Sequence, residues 1–264
     1  MIRLPDTSFP DHARVLLDGL QAEVDGAEGY EAQVAKAHSM WHLKKDNPTI
    51  RVVRERVAVM CSGRCGYCED SIPDEIEHIR PKEFFPENVF VWENYLYACG
   101  PCNGTYKNVA YAVWVDTSQE AVELRRERNQ PKQRPPTGTD LFINPRTEDP
   151  SAFLELDLQG TFKFEPRREL SDLGRLRATY TSDLLKLNRD LLTSIRRARF
   201  VAYCSMLETY AARRQEGRDA DAQRCVDAIR RTDHKSVWLE MKRQHQELRF
   251  LTPLFAAAPE ALQW

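Results

Sequence analysis

No apolar run in the chain approaches the ~18 residues that a membrane-crossing helix needs, so no transmembrane segment and no membrane partner is expected. The first ten residues lack a basic start followed by an apolar stretch, so no secretory signal is expected either. There is no internal repeat, no low-complexity tract and no GxxxxGKS/T phosphate loop, which assigns any nucleotide hydrolysis to another chain. A surplus of positive charge is also missing: the net charge is −2 and the pI is near 6.3. A stand-alone nucleic-acid binder is ordinarily basic, so this balance argues against strong unaided binding and for a partner that supplies basic surface. Cysteine is scarce and odd in number, seven in 264 residues, which fits a reducing cytoplasm rather than a disulfide framework.

What is present is a soluble composition, 42% apolar and 30% charged, long enough for a substantial core. Helical spacing marks residues 11–26, with an apolar stripe of Val15, Leu16 and Leu20, and residues 29–45, punctuated by Val34, Met40 and Trp41. Asp46-Asn47-Pro48 reads as the start of a third helix, carried by Ile50, Val53, Val57 and Met60. That helix runs into two CxxC pairs, Cys65/Cys68 and Cys99/Cys102, which bracket residues 69–98. Each pair presents two sulfurs from a tight turn, so together they suit one tetrahedral, structural zinc ion with no open position for water. Chance pairing or a redox role is the blander alternative, but a redox motif needs one pair rather than two. Cys61 reads as a buried or spare thiol, and Cys204 and Cys225 as core residues.

Between the pairs, residues 74–80 are expected to be extended, residues 84–88 to form a loop and residues 89–97 a second strand. A helix is expected to open at Asn103. Glu77-His78 precedes Ile79-Arg80-Pro81-Lys82, with Asn94 and Asn103 downstream. Taken alone, His78 would be read as a packed core histidine; its neighbours change that reading. Further on, 131–139 reads as a linker or surface loop, 154–164 as a hairpin around Gln159-Gly160, and the chain after Ser171 as helical, interrupted near Asn188. Additional helices are expected over 219–231 and 236–250. The basic runs at 125–128, 132–134 and 196–199 read first as solvated helix faces. His38 and His42 lack the intervening glutamate of a metalloprotease helix and read as ordinary surface.

The pattern CxYC…EHIRPK…WxN…CxxCN…K resembles the HNH, or ββα-metal, nuclease motif in its four-cysteine form. It is similar above all to the HNH subunits of Septu-type and retron-associated anti-phage systems, the PtuB-like proteins. A weaker likeness continues through Phe142-Ile143-Asn144-Pro145-Arg146 and Leu187-Asn188-Arg189. The resemblance implies an α+β, mainly helical chain: an N-terminal helical region (1–60), a ββα-metal core with its zinc (61–115), a linker and β-hairpin (116–170), and a C-terminal helical region (171–264).

Phosphodiester hydrolysis needs an activated water, a charge to stabilise the crowded phosphorus and help for the departing oxygen. His78 is the candidate base, and Glu77 and Asn103 offer oxygen ligands for Mg²⁺ or Mn²⁺. HNH motifs commonly carry Asp where this chain has Glu77, one methylene longer. By resemblance, Asn94 fixes the loop through backbone hydrogen bonds. Lys107, and less directly Arg80, are expected to contact phosphate. The resemblance further implies DNA more readily than RNA as substrate, a PtuA-like ABC/SMC-type ATPase as partner, and in retron versions a reverse transcriptase with its DNA–RNA product. The alternatives are an RNA-cleaving effector acting on tRNA, or an inactive zinc-stabilised binding module.

Overall fold

Periodic apolar residues place the first three helices. In the computed structural model, which describes residues 1–5, 7–44, 47–70, 72–125 and 132–264, they are α1 (Asp11–Asp25), α2 (Tyr30–Lys44) and α3 (Pro48–Met60). Asp46 of the expected helix start, residues 126–128 of one basic run and Pro131 at the head of the expected 131–139 loop lie outside the described residues. Helix α3 buries Ile50, Val53, Val57 and Met60, as its spacing predicts. Helix α1 is rotated from the expected stripe. It buries Ala13, Leu17, Gln21 and Val24, while Val15 and Leu16 are 68% and 51% exposed and Leu20 only packs at the margin. The cause is a polar residue on the inner face: Gln21 Nε2 donates to the Pro86 carbonyl at 3.1 Å, and its Oε1 accepts from the Phe90 amide at 2.9 Å. A pattern that counts only apolar residues misses such an anchor.

After α3 the chain reverses through Gly63, whose φ of +68° suits a residue without a side chain. It then enters a two-stranded antiparallel sheet, β1 (Glu75–His78) against β2 (Tyr95–Ala98), with Glu75 opposite Ala98 and His78 opposite Tyr95. The second strand is shorter than the expected 89–97, because 3₁₀ turns at Pro86–Asn88 and Trp92–Asn94 occupy most of the connection. The helix expected from Asn103 is a wide seven-residue turn, Pro101–Lys107, of π type, in which the Asn108 amide reaches back to the Asn103 carbonyl.

A hairpin that the pattern did not reveal follows: β3 (Tyr111–Val115) pairs with β4 (Glu120–Leu124) on one side and β5 (Thr139–Asp140) on the other. The 154–164 hairpin forms as β6 (Leu154–Leu156) and β7 (Phe164–Pro166). The interruption expected near Asn188 separates α4 (Asp172–Leu184) from α5 (Asp190–Gln215). There Asn188 pairs its side chain with the Phe164 backbone at 2.7 and 2.8 Å. Helix α6 is Asp219–Arg231. The helix expected over 236–250 ends early as α7 (Lys235–Gln244), and α8 (Thr252–Ala257) follows with a proline in its first turn.

The result is a mixed α/β chain in which helices predominate and the sheets are small. A continuous buried apolar cluster joins Leu17 and Val57 at one end, through Tyr67, Tyr95 and Phe142, to Leu192 and Trp238 at the other. No helix among the described residues is long and apolar enough to cross a membrane.

Candidate functional site

The cysteines act first on geometry. Cys65, Cys68, Cys99 and Cys102 are all buried, and their sulfur atoms lie within 4.8 Å of one another. The Cys68 and Cys99 sulfurs are 3.9 Å apart. A tetrahedron with metal–sulfur bonds of ~2.3 Å has edges of ~3.8 Å, so four soft thiolates at this separation fit zinc. The cluster ties three pieces of chain together: the knuckle after α3, the end of β2 and the wide turn. The Gly66 amide donates to the Tyr97 carbonyl at 2.9 Å, and a Cβ on Gly66 would come within 2.9 Å of Leu96 and 3.1 Å of the Cys61 sulfur. Cys61 stays outside the cluster, and burial pushes its thiol up to about 11.

Directly beside this clamp is an open polar cavity of about 220 Å³ lined in part by Glu77, His78, Lys82, Glu83, Asn103 and Trp41. His78 ends β1. Its Nε2 lies 3.0 Å from the Val89 carbonyl, which also accepts the Tyr95 hydroxyl at 2.7 Å. Trp41 of α2 stands edge-on to the ring, 4.3 Å between centroids. A carbonyl partner assigns the proton to Nε2 and leaves Nδ1 as the nitrogen able to accept one. Burial, helped by the charge of Lys82, pushes the imidazole down to about 3 against the pull of the Val89 carbonyl, so the ring is neutral at physiological pH.

Glu77 is buried, and its Oε1 meets Lys107 Nζ at 2.5 Å and the Tyr67 hydroxyl at 3.4 Å. Burial raises its carboxyl above the ordinary range, with Lys107 opposing. Its Oε2 accepts no hydrogen bond among the described residues. Asn103 donates from Nδ2 to Glu75 Oε2 at 2.6 Å, which turns its amide oxygen away from that partner. Two oxygen donors and a neutral imidazole thus line the same cavity.

Asn94 is engaged three times with backbone. Its Oδ1 accepts the Arg80 amide at 2.8 Å, and its Nδ2 donates to the carbonyls of Arg80 and Asn88 at 3.0 and 2.9 Å. The two expected phosphate contacts are placed otherwise. Lys107 has no exposed surface; besides Glu77 it donates to the His78 carbonyl at 3.0 Å and lies over the Phe142 ring. Its ammonium is consumed in holding β1. Arg80 grips Asp140 through Nε and a terminal nitrogen at 2.9 and 2.6 Å, and it lines a separate polar cavity that it shares with Asn88, Asn94 and Arg177.

Among the described residues the basic runs are divided between interior and surface: Arg196 is buried, whereas Arg125, Arg134 and Arg197 are exposed. Buried Arg196 donates to the carbonyls of Phe162 and Leu187, Arg199 pairs with Asp233, and Arg134 stacks on Tyr30. The weaker motif pieces are scaffold: Arg146 donates to the Trp92 and Tyr95 carbonyls at 2.6 and 3.0 Å, and Arg189 lies over Tyr106.

Two residues that line the cavity, Lys82 and Glu83, were given no role from the sequence. Glu83 accepts from His38 Nε2 and Lys82 Nζ, each at 3.1 Å. Lys82 closes the legible EHIRPK run and Glu83 follows it directly, but nothing in the spacing says which cation turns inward. His38 belongs to a helix far upstream, and its contact with Glu83 replaces the plain surface reading.

The chain is similar to the Septu protein PtuB of Bacillus mycoides (strain KBAB4). The two are 28% identical over 130 residues, covering 43% of this chain and 41% of that protein. The chain therefore spans about two fifths of the length of the relative it matches. This relates it to Septu-type defence proteins at a distance. No model of a known protein family matches the chain.

Proposed function

We propose that this chain is a metal-dependent endonuclease of the HNH, or ββα-metal, type, hydrolysing nucleic-acid phosphodiesters, DNA in preference to RNA, as the effector of a Septu-type anti-phage complex. The observation that carries this reading is the meeting of a neutral imidazole and two oxygen donors in one open cavity beside a four-thiol clamp. His78 Nδ1 takes the proton of a water set against the phosphate, in the form that burial favours. Glu77 and Asn103 would hold Mg²⁺ or Mn²⁺, which when bound supplies charge stabilisation for the crowded phosphorus and the departing oxygen. Among the described residues no further cluster of three His, Cys, Asp or Glu ligands forms, so water and the phosphate would complete that ion's shell. Asn94 fixes the loop beneath the base, and Lys107 fixes Glu77. Cys65, Cys68, Cys99 and Cys102 would hold a structural Zn²⁺.

The likeness to PtuB supports a PtuA-like ABC/SMC-type ATPase as partner in a cytoplasmic complex. A net charge of −2 puts most nucleic-acid affinity on that partner. The helical flanks, about 1–60 and 171–250, are its candidate docking faces. In a retron-type system a reverse transcriptase and its DNA–RNA product would join. A second reading, a zinc-stabilised binding module without activity, is favoured by the Glu77–Lys107 pair, which takes one carboxylate oxygen out of play.

The deciding test incubates wild type and His78→Ala with plasmid DNA and with total tRNA, in Mg²⁺, in Mn²⁺ and in EDTA, with and without the neighbouring ATPase. Metal-dependent cutting lost in the variant supports the nuclease, and the polymer cut separates DNA from RNA. No cutting by zinc-loaded wild type, even with the ATPase, sinks the nuclease reading in favour of the binding module.

A further inference from the structure

With Lys107 sealed inside and Arg80 committed elsewhere, a side-chain contact to a phosphate in the cavity has to come from another residue. Among its described lining residues there is one cation, Lys82. The turn that carries it is tightly made. The Pro81 carbonyl accepts the amides of Phe84 and Phe85 at 3.0 and 2.9 Å, and Tyr30 of α2 donates to the Phe84 carbonyl at 2.9 Å. Lys82 keeps 22% of its side chain exposed, whereas its anchor Glu83 keeps 8%. His38, which donates to Glu83, sits one turn before Trp41 on α2, so a single helix backs both the imidazole of His78 and the anchor of Lys82. An ammonium has three donors; one is directed at Glu83 and two are left for a second acceptor.

We propose that Lys82 binds the phosphate of the nucleic-acid substrate in the His78 cavity, with Glu83 and His38 as the residues that position it. The inference rests on reading this cavity as the phosphodiester site. Burial works against ionisation of Glu83, but the hydrogen bond from His38 and the charge of Lys82 outweigh it and hold the carboxyl at about 2, so the anchor is charged throughout the working range. Two glutamates line the cavity, and each is neutralised by a lysine: Glu77 by one that is fully buried, Glu83 by one that reaches solvent. Only the second can be shared with a ligand.

The test measures binding and cutting separately on the full chain, comparing wild type, Lys82→Ala, Lys82→Arg, His38→Ala and His78→Ala. Binding is followed by fluorescence anisotropy of a short phosphorothioate oligonucleotide in Ca²⁺, over a salt series, after zinc content and melting have shown each variant to be folded. Lys82→Ala is expected to weaken binding about 10-fold and to lower the slope of log affinity against log salt by about one, with partial rescue in Lys82→Arg. His38→Ala is expected to raise KM with little change in kcat. Unchanged affinity and slope in Lys82→Ala, with His78→Ala still inactive, overturns the role of Lys82 and leaves the nuclease reading intact. Loss of affinity in Lys82→Ala beside a wild type that never cuts keeps the phosphate site and removes the nuclease. A wild type that fails to bind the oligonucleotide at all, even with the ATPase partner present, overturns the proposal.

Discussion

A fully buried lysine is the sharpest single-residue feature of the site, and its energetics are asymmetric. Removing one member of a buried ion pair leaves the other charge stranded, whereas removing both is far milder. Lys107→Met is therefore expected to destabilise the zinc-loaded protein by about 3–5 kcal/mol, and the double variant with Glu77→Gln by clearly less than the sum of the singles. Denaturant melts of the four proteins give the coupling, and additive effects would show that the pair is not functioning as one. His78 gives a pH prediction. Its folded value, about 3, lies below the ordinary 6.5, so the unfolded chain takes the proton first as pH falls. The stability tied to the neutral ring is present above about 6.5 and is lost as pH drops toward 3. For the same reason kcat/KM is expected to show no acid limb near 6.5, and a limb there in wild type would contradict the buried, neutral imidazole. At this scale the sequence was legible where spacing carries chemistry, as in the two CxxC pairs and Glu77-His78. It was silent on direction: residues 80, 82 and 107 are all cations near the motif, and only packing decides which of them reaches the cavity.

At the scale of elements, the connection between β1 and β2 is organised by one side chain. Asn94→Ala would strand two carbonyls and one amide of that loop, at about 1–3 kcal/mol for each group left without a partner. The expected outcome is faster hydrogen exchange across residues 79–94, Arg80 first, with zinc retained and cutting lost; exchange unchanged from wild type would remove Asn94 from that role. The same loop shows why the strand expected over 89–97 came out short. β-branched and aromatic residues favour extension locally, but Asn94 and the 3₁₀ turns before it divert the chain. Helix α1 erred in the other direction, since Gln21 faces inward for its hydrogen bonds and shifts the buried face away from Val15 and Leu16. The β3–β4 hairpin escaped notice because in β4 the two glutamates stand three residues apart, which breaks the two-residue alternation of a strand, and none of its five residues is buried.

For the whole molecule, the thiolate cluster lies within the continuous apolar core rather than on an appendage. Zinc chelation is therefore expected to lower the melting temperature by more than about 10 °C and to abolish cutting even when Mg²⁺ is in excess. Native mass spectrometry should give one zinc per chain before chelation, and a melt unmoved by its loss would place the metal outside the fold's support. The helix-rich outline and the long C-terminal helices were readable from periodicity alone, since 26 residues of α5 repeat the pattern many times over. How those helices lie against the knuckle was not readable, because it depends on contacts between residues far apart in the chain, such as Glu69 Oε1 with the Ser236 amide at 3.0 Å.

The seven-residue turn Pro101–Lys107 holds a thiolate, the cavity-lining Asn103 and the ammonium that steadies Glu77. One inserted or deleted residue there would swing Lys107 out of step with Cys102 and disconnect three roles at once. Among descendants of this chain, drift should accordingly spare the length of that turn while tolerating changes of length elsewhere on the surface.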